Sequence, residues 1–187
     1  MLILASASPR RKEILENLGY KFKCLAADTD ETLADGINGF DAVRELALRK
    51  ARKVAAVSPN DVILASDTVV DCDGEVLGKP RDREEAKQML LRLSGRQHTV
   101  YTGVCIISGT QCERFVSAAK VEFYELDDSL IEWYLNTGEP FDKAGAYGIQ
   151  GKGSVLVKGI DGDYFTVMGL PAAEVYRRLK KFQILPE

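Results

Sequence analysis

Ser8, Pro9, Arg10 and Arg11 follow a short apolar run at the start of the chain and are typical of a helix start. Ser8 suits the N-cap and Pro9 the first helical position. Cations in the first turn oppose the helix dipole at a cost of roughly 0.3–1 kcal/mol, unless an anion binds there. Backbone N–H groups, a serine hydroxyl and guanidinium groups together bind phosphate well. The sequence favours a phosphate site here over the alternative, in which both arginines point into water.

A lysine interrupts the apolar stripe of the long helix predicted over residues 40–57. Lys50 falls within the stripe, which is formed by Val43, Leu46, Ala47, Ala51 and Val54. Because an unpaired buried ammonium is costly, Lys50 either extends past the helix edge to water or pairs with a carboxylate or phosphate in a cleft. We favour the cleft, since other basic residues already occupy the polar face of the helix.

Asp67 and Thr68 come directly after a short buried strand predicted over residues 62–65. Ligands of α/β proteins collect at the carboxyl ends of strands, so Asp67 is a candidate site residue, with a turn-capping role as its alternative. Lys79 follows a hairpin predicted at residues 73–74 and could bring a cation to the same edge. The alternative for Lys79 is a solvated loop lysine.

The segment 142–153 contains four glycines in twelve residues, which would let the backbone approach a ligand closely. It matches neither the GxxxxGK[ST] phosphate loop nor the GxGxxG dinucleotide loop. Gln150 carries an amide donor and acceptor side by side, which complement the imide edge of uracil or thymine. The alternative is a surface glutamine in a flexible loop.

His98 is the single histidine and lies in a strand predicted over residues 97–107, where we expect a half-exposed structural role. Catalysis by Ser-His-Asp or Cys-His groups is therefore disfavoured, and the chemistry must depend on carboxylates, lysines, arginines or a metal ion. The four cysteines form no CxxC pair and have no neighbouring histidine. They are expected to be reduced thiols of a cytoplasmic protein, with no zinc site.

The length and charge of the chain define its class. With 187 residues, 45% hydrophobic and 28% charged, the chain is predicted to be a single globular domain or two closely joined lobes. A net charge of -3 argues against a duplex nucleic acid binder. Residues 24–43 hold five acids and no base, and residues 143–160 hold three lysines and no acid. These blocks either meet in one cleft or belong to solvated loops.

Strand-like and helix-like segments alternate along the chain, which predicts an α/β protein with a mixed twisted sheet flanked by helices. We find no apolar run of membrane-spanning length and no signal peptide, and expect an intracellular protein without a membrane partner. Strands are predicted at 2–6, 22–26, 62–65, 97–107 and 114–124, helices at 9–18, 40–57, 127–135 and 171–182, and a second hairpin at 161–162.

Together these segments strongly resemble the Maf family of nucleoside triphosphate pyrophosphatases. The resemblance extends from residue 2 to about residue 182 and rests on the sequences LASASPRR, ASDTVV, GKP, LSGR, DKAGAYGIQG, DGDY and VMGLP. The DKAGAYGIQG segment is similar to the branch that acts on dTTP and UTP rather than the branch that acts on 7-methyl-GTP. The resemblance implies two lobes around a central cleft, a divalent metal (Mg²⁺ or Mn²⁺), a cytoplasmic location and frequently a homodimer.

The resemblance also implies roles for individual residues. The proton acceptor of the family corresponds to Asp67, and its specificity positions correspond to Arg10, Thr68 and Gln150. Its remaining site residues, an acid and two lysines, correspond to Glu31, Lys50 and Lys79. For the acid, Asp28 and Asp30 are nearby alternatives.

The implied reaction is attack of water on the α-phosphorus of a pyrimidine nucleoside triphosphate, with Asp67 as base and a metal held by Glu31 and the phosphates. Lys50, Lys79 and the turn of Arg10 and Arg11 would stabilise the leaving pyrophosphate, and Ser8 would contribute to its binding. A carboxylate can also bind the ion, so the roles of Asp67 and Glu31 stay open. The main alternative is a non-catalytic nucleotide-binding regulator of cell division or septum formation. An RNA-binding module ranks behind both, because the chain lacks a basic strip with interleaved aromatics.

Overall fold

A computed structural model of the protein describes residues 1–34 and 36–187, in which a mixed seven-stranded sheet is flanked by helices. The strands are β1 (Leu2–Leu4), β2 (Phe22–Cys24), β3 (Val62–Cys72), β4 (Glu75–Leu77), β5 (Gln97–Ser108), β6 (Gln111–Phe123) and β7 (Val157–Asp161). Their order in the sheet is β2-β1-β3-β5-β6-β7, and β4 pairs with β3. The α-helices are α1 (Pro9–Asn17), α2 (Gly39–Ala55), α3 (Arg83–Leu93), α4 (Asp128–Asn136), α5 (Tyr164–Met168) and α6 (Ala172–Leu179).

Strand β3 is the centre of the sheet and is much longer than the predicted 62–65. Its first residues pair in parallel with β1, from Leu2 opposite Val62 to Leu4 opposite Leu64. From Val62 to Asp71 it also pairs antiparallel with β5, which continues the strand where β1 has ended. The prediction that the strand ends before Asp67 is therefore wrong. Asp67 lies within β3, three residues beyond the carboxyl edge of the parallel part.

Helix α2 packs its apolar stripe across β3 and β5, as the periodicity predicted. Asn38 caps its start by accepting a hydrogen bond from the backbone N–H of Asp41. The helix backbone approaches β5 so closely that a Cβ atom on Gly103 would lie 2.3 Å from the carbonyl oxygen of Val43. Only glycine fits that position, and the close contact fixes α2 over the middle of the sheet.

The apolar core is divided along β3. One cluster surrounds Val62 and Leu64 and includes residues of α1 and α6, while another surrounds Val70 and Cys72 and includes residues of α3 and α4. A third cluster joins Ile63 to the face of α2. The polar middle of β3 thus lies between two apolar bodies, where the resemblance placed a cleft between two lobes.

The first predicted hairpin is confirmed and the second is wrong. Asp73 and Gly74 turn β3 into β4 with φ values of 56° and 81°, as a tight two-residue turn requires. After β7, by contrast, the chain enters α5. Asp163 caps that helix by accepting a hydrogen bond from Thr166 N–H at 2.9 Å, so a helix replaces the returning strand.

The predicted half-exposure of His98 is also wrong. The side chain is only 3% exposed, and its Nε2 lies 2.8 Å from the hydroxyl of Tyr147. Its ring packs edge-on against those of Phe123 and Tyr147. In the described part of the chain, no helix is long and apolar enough to cross a membrane.

Candidate active site

A cavity of about 480 Å³ opens at the polar middle of β3. It is bounded by the turn before α1, by α2, by β3, by the loop after β4 and by the glycine-rich segment. Eight of the nine predicted site residues line it: Ser8, Arg10, Arg11, Glu31, Lys50, Asp67, Thr68 and Lys79. The fold therefore brings together residues that are spread over the first 79 positions of the chain.

Lys50 lies between two carboxylates of this cavity. Its Nζ is 2.7 Å from Oε1 of Glu31 and also contacts Oδ1 of Asp67. The side chains of Lys50 and Asp67 are only 12% and 11% exposed, so this ion pair is largely shielded from water. Hydrogen bonding from Lys50 lowers the pKa of Glu31, with further contributions from Lys79 and Arg11. The sequence allowed Lys50 either to extend past the helix edge to water or to pair with a carboxylate or phosphate in a cleft. The structure shows the pairing in a cleft.

Arg11 is bound by the protein itself. Its Nε donates to the carbonyl oxygen of Gly169 at 2.9 Å, and its terminal nitrogens donate to Ser6 Oγ at 3.2 Å and Thr68 Oγ1 at 3.1 Å. Burial lowers the pKa of Arg11, and the nearby carboxylate of Asp67 partly offsets this effect. The guanidinium thus connects the end of β1, the middle of β3 and the end of α5. Thr68 in turn lies 2.9 Å from the hydroxyl of Thr102.

Arg10 and Ser8 are held less firmly than Arg11. Arg10 forms an ion pair with Asp142 at 3.7 Å, and Asp142 is 64% exposed. Ser8 is the N-cap residue of α1, but its side chain makes no capping hydrogen bond within the described residues. The first turn of α1 also holds no acidic residue. This end of the cleft therefore offers a guanidinium, a hydroxyl and helix N–H groups to an anion.

The glycine-rich segment forms another part of the wall. The N–H of Gly145 donates to the carbonyl oxygen of Gly78 at 3.0 Å, which joins this segment to the loop of Lys79. Gly148 and Ile149 line the cavity, whereas the half-buried Gln150 that follows them does not. The structure therefore brings eight of the predicted residues together and leaves Gln150 just beyond the wall.

Residues 1–182 of the chain match the family described as Maf-like protein. The chain belongs to the Maf family. A dTTP/UTP pyrophosphatase of Bacillus velezensis is 50% identical over 183 residues, which cover 98% of this chain and 97% of that protein. A dTTP/UTP pyrophosphatase of Bacillus cereus is 46% identical over 98% of this chain and 96% of that protein.

Among solved structures, the Staphylococcus aureus Ham1 protein is similar to this Maf-family chain with a TM-score of 0.42 and 16% identity. The similarity covers 65% of this chain and 71% of that one. Protein VC0702 of Vibrio cholerae gives a TM-score of 0.37 and 11% identity, over 74% of this chain and 70% of the other.

Two carboxylates of this Maf-family protein are candidates to hold a metal. Within residues 1–34 and 36–187, no group of three or more His, Cys, Asp or Glu side chains is placed to hold an ion. Glu31 and Asp67 nevertheless converge on one cation, the ammonium of Lys50. Because Mg²⁺ is commonly bound by one or two carboxylates together with substrate phosphates, this pair fits an ion that arrives with a nucleotide.

Sequence reasoning missed several residues that build the site. Asp142 and Tyr147 line the cavity, where Asp142 pairs with Arg10 and Tyr147 is anchored to His98. Glu139 lies outside the cavity and binds the backbone of the glycine-rich segment. Asp142 begins that segment and Glu139 lies three residues before it, and this proximity is the signal that could have indicated them.

Proposed function

We propose that this Maf-family protein hydrolyses dTTP and UTP to the nucleoside monophosphate and pyrophosphate. The observation that carries the proposal is the convergence of Lys50, Asp67 and Glu31 in a cavity that also holds Arg10 and Lys79. Carboxylates beside several cations are the groups that phosphoryl transfer requires. The two Bacillus relatives named dTTP/UTP pyrophosphatase support both the reaction proposed and the choice of thymine and uracil as the nucleobases.

In the proposed reaction, Asp67 accepts a proton from the water that attacks the α-phosphorus. The new bond joins the water oxygen to that phosphorus, and the bond between it and the oxygen bridging to the β-phosphorus breaks. The electron pair of this bond leaves with pyrophosphate. Asp67 suits the base because it lies inside the cavity, and because Lys50 fixes one of its oxygens through a direct contact.

Together, the cations of the cavity would neutralise the negative charge of the triphosphate. Arg10 is held by a single long ion pair, so it can turn to a phosphate with little loss. Lys79 and Lys50 also line the cavity and would stabilise the charge that develops on the leaving pyrophosphate. Arg11 already makes three hydrogen bonds to protein groups. Its proposed role is to stabilise the structure of the part of the cavity that binds the phosphates.

A divalent metal, Mg²⁺ or Mn²⁺, is part of the proposal. Glu31 and Asp67 would hold it together with the phosphates, and when bound it would neutralise the triphosphate and polarise the reacting phosphorus. Lys50 would then exchange a carboxylate partner for a phosphate oxygen.

Recognition of the base is assigned to the wall that contains the glycine-rich segment. Gln150 follows Gly148 and Ile149, and its amide would pair with the N3–H and the neighbouring carbonyl of uracil or thymine. Cytosine presents the reversed pattern, so rejecting it requires the amide of Gln150 to be held in one orientation. Thr68, bound to Arg11, would contribute to specificity through the position of that guanidinium.

The test is a panel of dTTP, UTP, CTP, dATP and GTP incubated with the purified protein and Mg²⁺, with pyrophosphate as the product measured. Release from dTTP and UTP well above the other three supports the proposal. Binding of dTTP or UTP without release would instead support the non-catalytic regulator. A homodimer and a cytoplasmic location remain predictions of the family resemblance, and the lack of duplex nucleic acid partners remains a prediction from the net charge of -3.

A further inference from the structure

Two side chains outside the cavity hold the segment that carries Gln150. Glu139 lies at the start of a 3-10 helix spanning Glu139–Asp142, and Tyr134 lies on the buried face of α4. Both belong to the part of the chain just before the glycine-rich segment. Neither is among the described residues that line the cavity, so any effect of theirs on substrate must pass through other residues.

The carboxylate of Glu139 binds two consecutive backbone N–H groups. Its Oε1 accepts from Lys152 at 3.1 Å and its Oε2 accepts from Gly153 at 3.2 Å. The fit is close at the neighbouring residue: a Cβ atom on Gly151 would lie 2.8 Å from Oε1 of Glu139, and Gly151 has a φ of 70°. Both carboxylate oxygens therefore bind the backbone, at positions two and three residues after Gln150.

The hydroxyl of Tyr134 binds the backbone just before Gln150. It accepts a hydrogen bond from Gly148 N–H at 3.1 Å, and the Tyr134 side chain is fully buried. A Cβ atom on Gly153 would lie 2.7 Å from this hydroxyl and 2.2 Å from the carbonyl oxygen of Gly148. Gly148 and Gly153, at the two ends of the segment 148–153, are therefore in close contact beside the hydroxyl of Tyr134.

This arrangement clamps the segment at both ends and leaves Ile149, Gln150 and Gly151 between the clamps. A glutamine amide can turn over and present the opposite pattern of donor and acceptor, so discrimination between bases requires a fixed approach to the base. We propose that Glu139 and Tyr134 are positioning residues for base selection, which act by fixing the backbone on both sides of Gln150. This inference rests on the proposed function and adds residues that touch no substrate.

The test compares UTP with CTP in the full-length protein. Glu139→Gln keeps the shape of the side chain but turns an NH₂ group toward a backbone N–H. Loss of such a hydrogen bond to a charged group corresponds to about tenfold in affinity, so KM for UTP should rise about tenfold with kcat within about twofold. The ratio of kcat/KM for UTP over CTP should fall by about the same factor. Tyr134→Phe keeps the ring, removes the acceptor and carries the same expectation if Glu139→Gln fails to fold.

Two controls separate positioning from a general structural role. Glu132→Gln makes the same chemical change on the neighbouring helix, where Glu132 pairs with Arg83 and Lys87, and should leave the ratio unchanged. In a Gln150→Ala background, Glu139→Gln should have no further effect on the ratio, because the residue through which it acts is gone.

The possible outcomes are distinct. If the wild-type protein releases no pyrophosphate from dTTP or UTP, the proposed function has failed independently of the clamp. If the wild-type protein is active and selective but the ratio in both variants stays within about twofold, the clamp inference is overturned. An equal loss on UTP and CTP overturns it as well, since that result describes a cavity damaged as a whole.

Discussion

Glu31 and Asp67 share the ammonium group of Lys50, although Glu31 belongs to a loop and Asp67 to the central strand. The three charges come from separate parts of the chain and meet on one side of the sheet. Breaking a largely buried ion pair by removing one partner is costly, because the remaining charge is left without a partner where water has little access. A negatively charged substrate would pair with Lys50, and a divalent ion that accompanies it would pair with Glu31 and Asp67.

The role of Asp67 is tested by Asp67→Asn, which removes the proton acceptor and keeps the size of the side chain. Pyrophosphate release should fall by about 10²–10⁴-fold, as for the loss of a general base. Binding of UTP, measured by calorimetry, should persist, and the circular dichroism spectrum should stay native. Asp161→Asn, at an exposed position at the end of β7, is the matched control and should keep full activity. Near-normal turnover in Asp67→Asn would remove Asp67 from the chemistry.

The two neighbouring arginines should respond differently to replacement by lysine. Arg11→Lys keeps the charge but loses most of three hydrogen bonds, and should lower the free energy of unfolding by about 2–3 kcal/mol. Arg10→Lys should change it by less than about 0.5 kcal/mol and raise KM for UTP instead. Urea unfolding and steady-state kinetics of both variants provide the comparison. Equal stability losses would contradict the different roles assigned to these residues.

Acidification should destabilise the protein through its single histidine. Burial lowers the pKa of His98 to about 4, from 6.5 in an unfolded chain. Between these values the unfolded chain binds a proton that the native protein does not, so stability rises with pH across this window and is lost as the pH falls from 6.5 toward 4. From pH 7 to pH 5 the contribution of His98 amounts to about 2 kcal/mol.

This prediction is checked by urea unfolding at pH 7 and pH 5 in the wild-type protein and in His98→Gln. The wild-type protein should lose about 2 kcal/mol more than the variant over this interval, because glutamine does not titrate. The interaction with Tyr147 at 2.8 Å is also perturbed in the variant, which lowers stability at both pH values and cancels in the comparison. Identical losses in the two proteins would show that His98 is not held neutral.

Removal of divalent metal should abolish turnover and spare the fold. Glu31 and Asp67 are the two carboxylates that converge on Lys50, and a metal bound by them would be held jointly with the phosphates and released easily by a chelator. EDTA should therefore stop pyrophosphate release, and Mg²⁺ or Mn²⁺ should restore it, with no change in the melting temperature of the nucleotide-free protein. Full activity after exhaustive chelation would eliminate the metal from the proposal.

Local patterns predicted those parts of the site that depend on neighbours in sequence. The position of Lys50 follows from helical periodicity, and the turn at Asp73 and Gly74 follows from their backbone preferences. Interactions between distant residues were beyond such patterns. The extension of β3 depends on its pairing with β5, and the burial of His98 depends on Tyr147, 49 residues away.

Arg11 shows the same limit. The sequence identified a cation at a helix start, whereas its role depends on Gly169 and Thr68, which lie 158 and 57 residues away. No local property of Arg10 and Arg11 distinguishes them, so both were predicted to bind substrate. In the folded protein, Arg11 binds other protein groups, whereas Arg10 stays available to a ligand in the cleft.

The most direct measurement of the central claim is the fate of the water oxygen. UTP is hydrolysed by the purified protein in water enriched in ¹⁸O, and the products are examined by mass spectrometry. Attack on the α-phosphorus predicts one ¹⁸O atom in UMP and none in pyrophosphate. Label in pyrophosphate, or release of UDP and phosphate, would contradict the reaction assigned to this cleft.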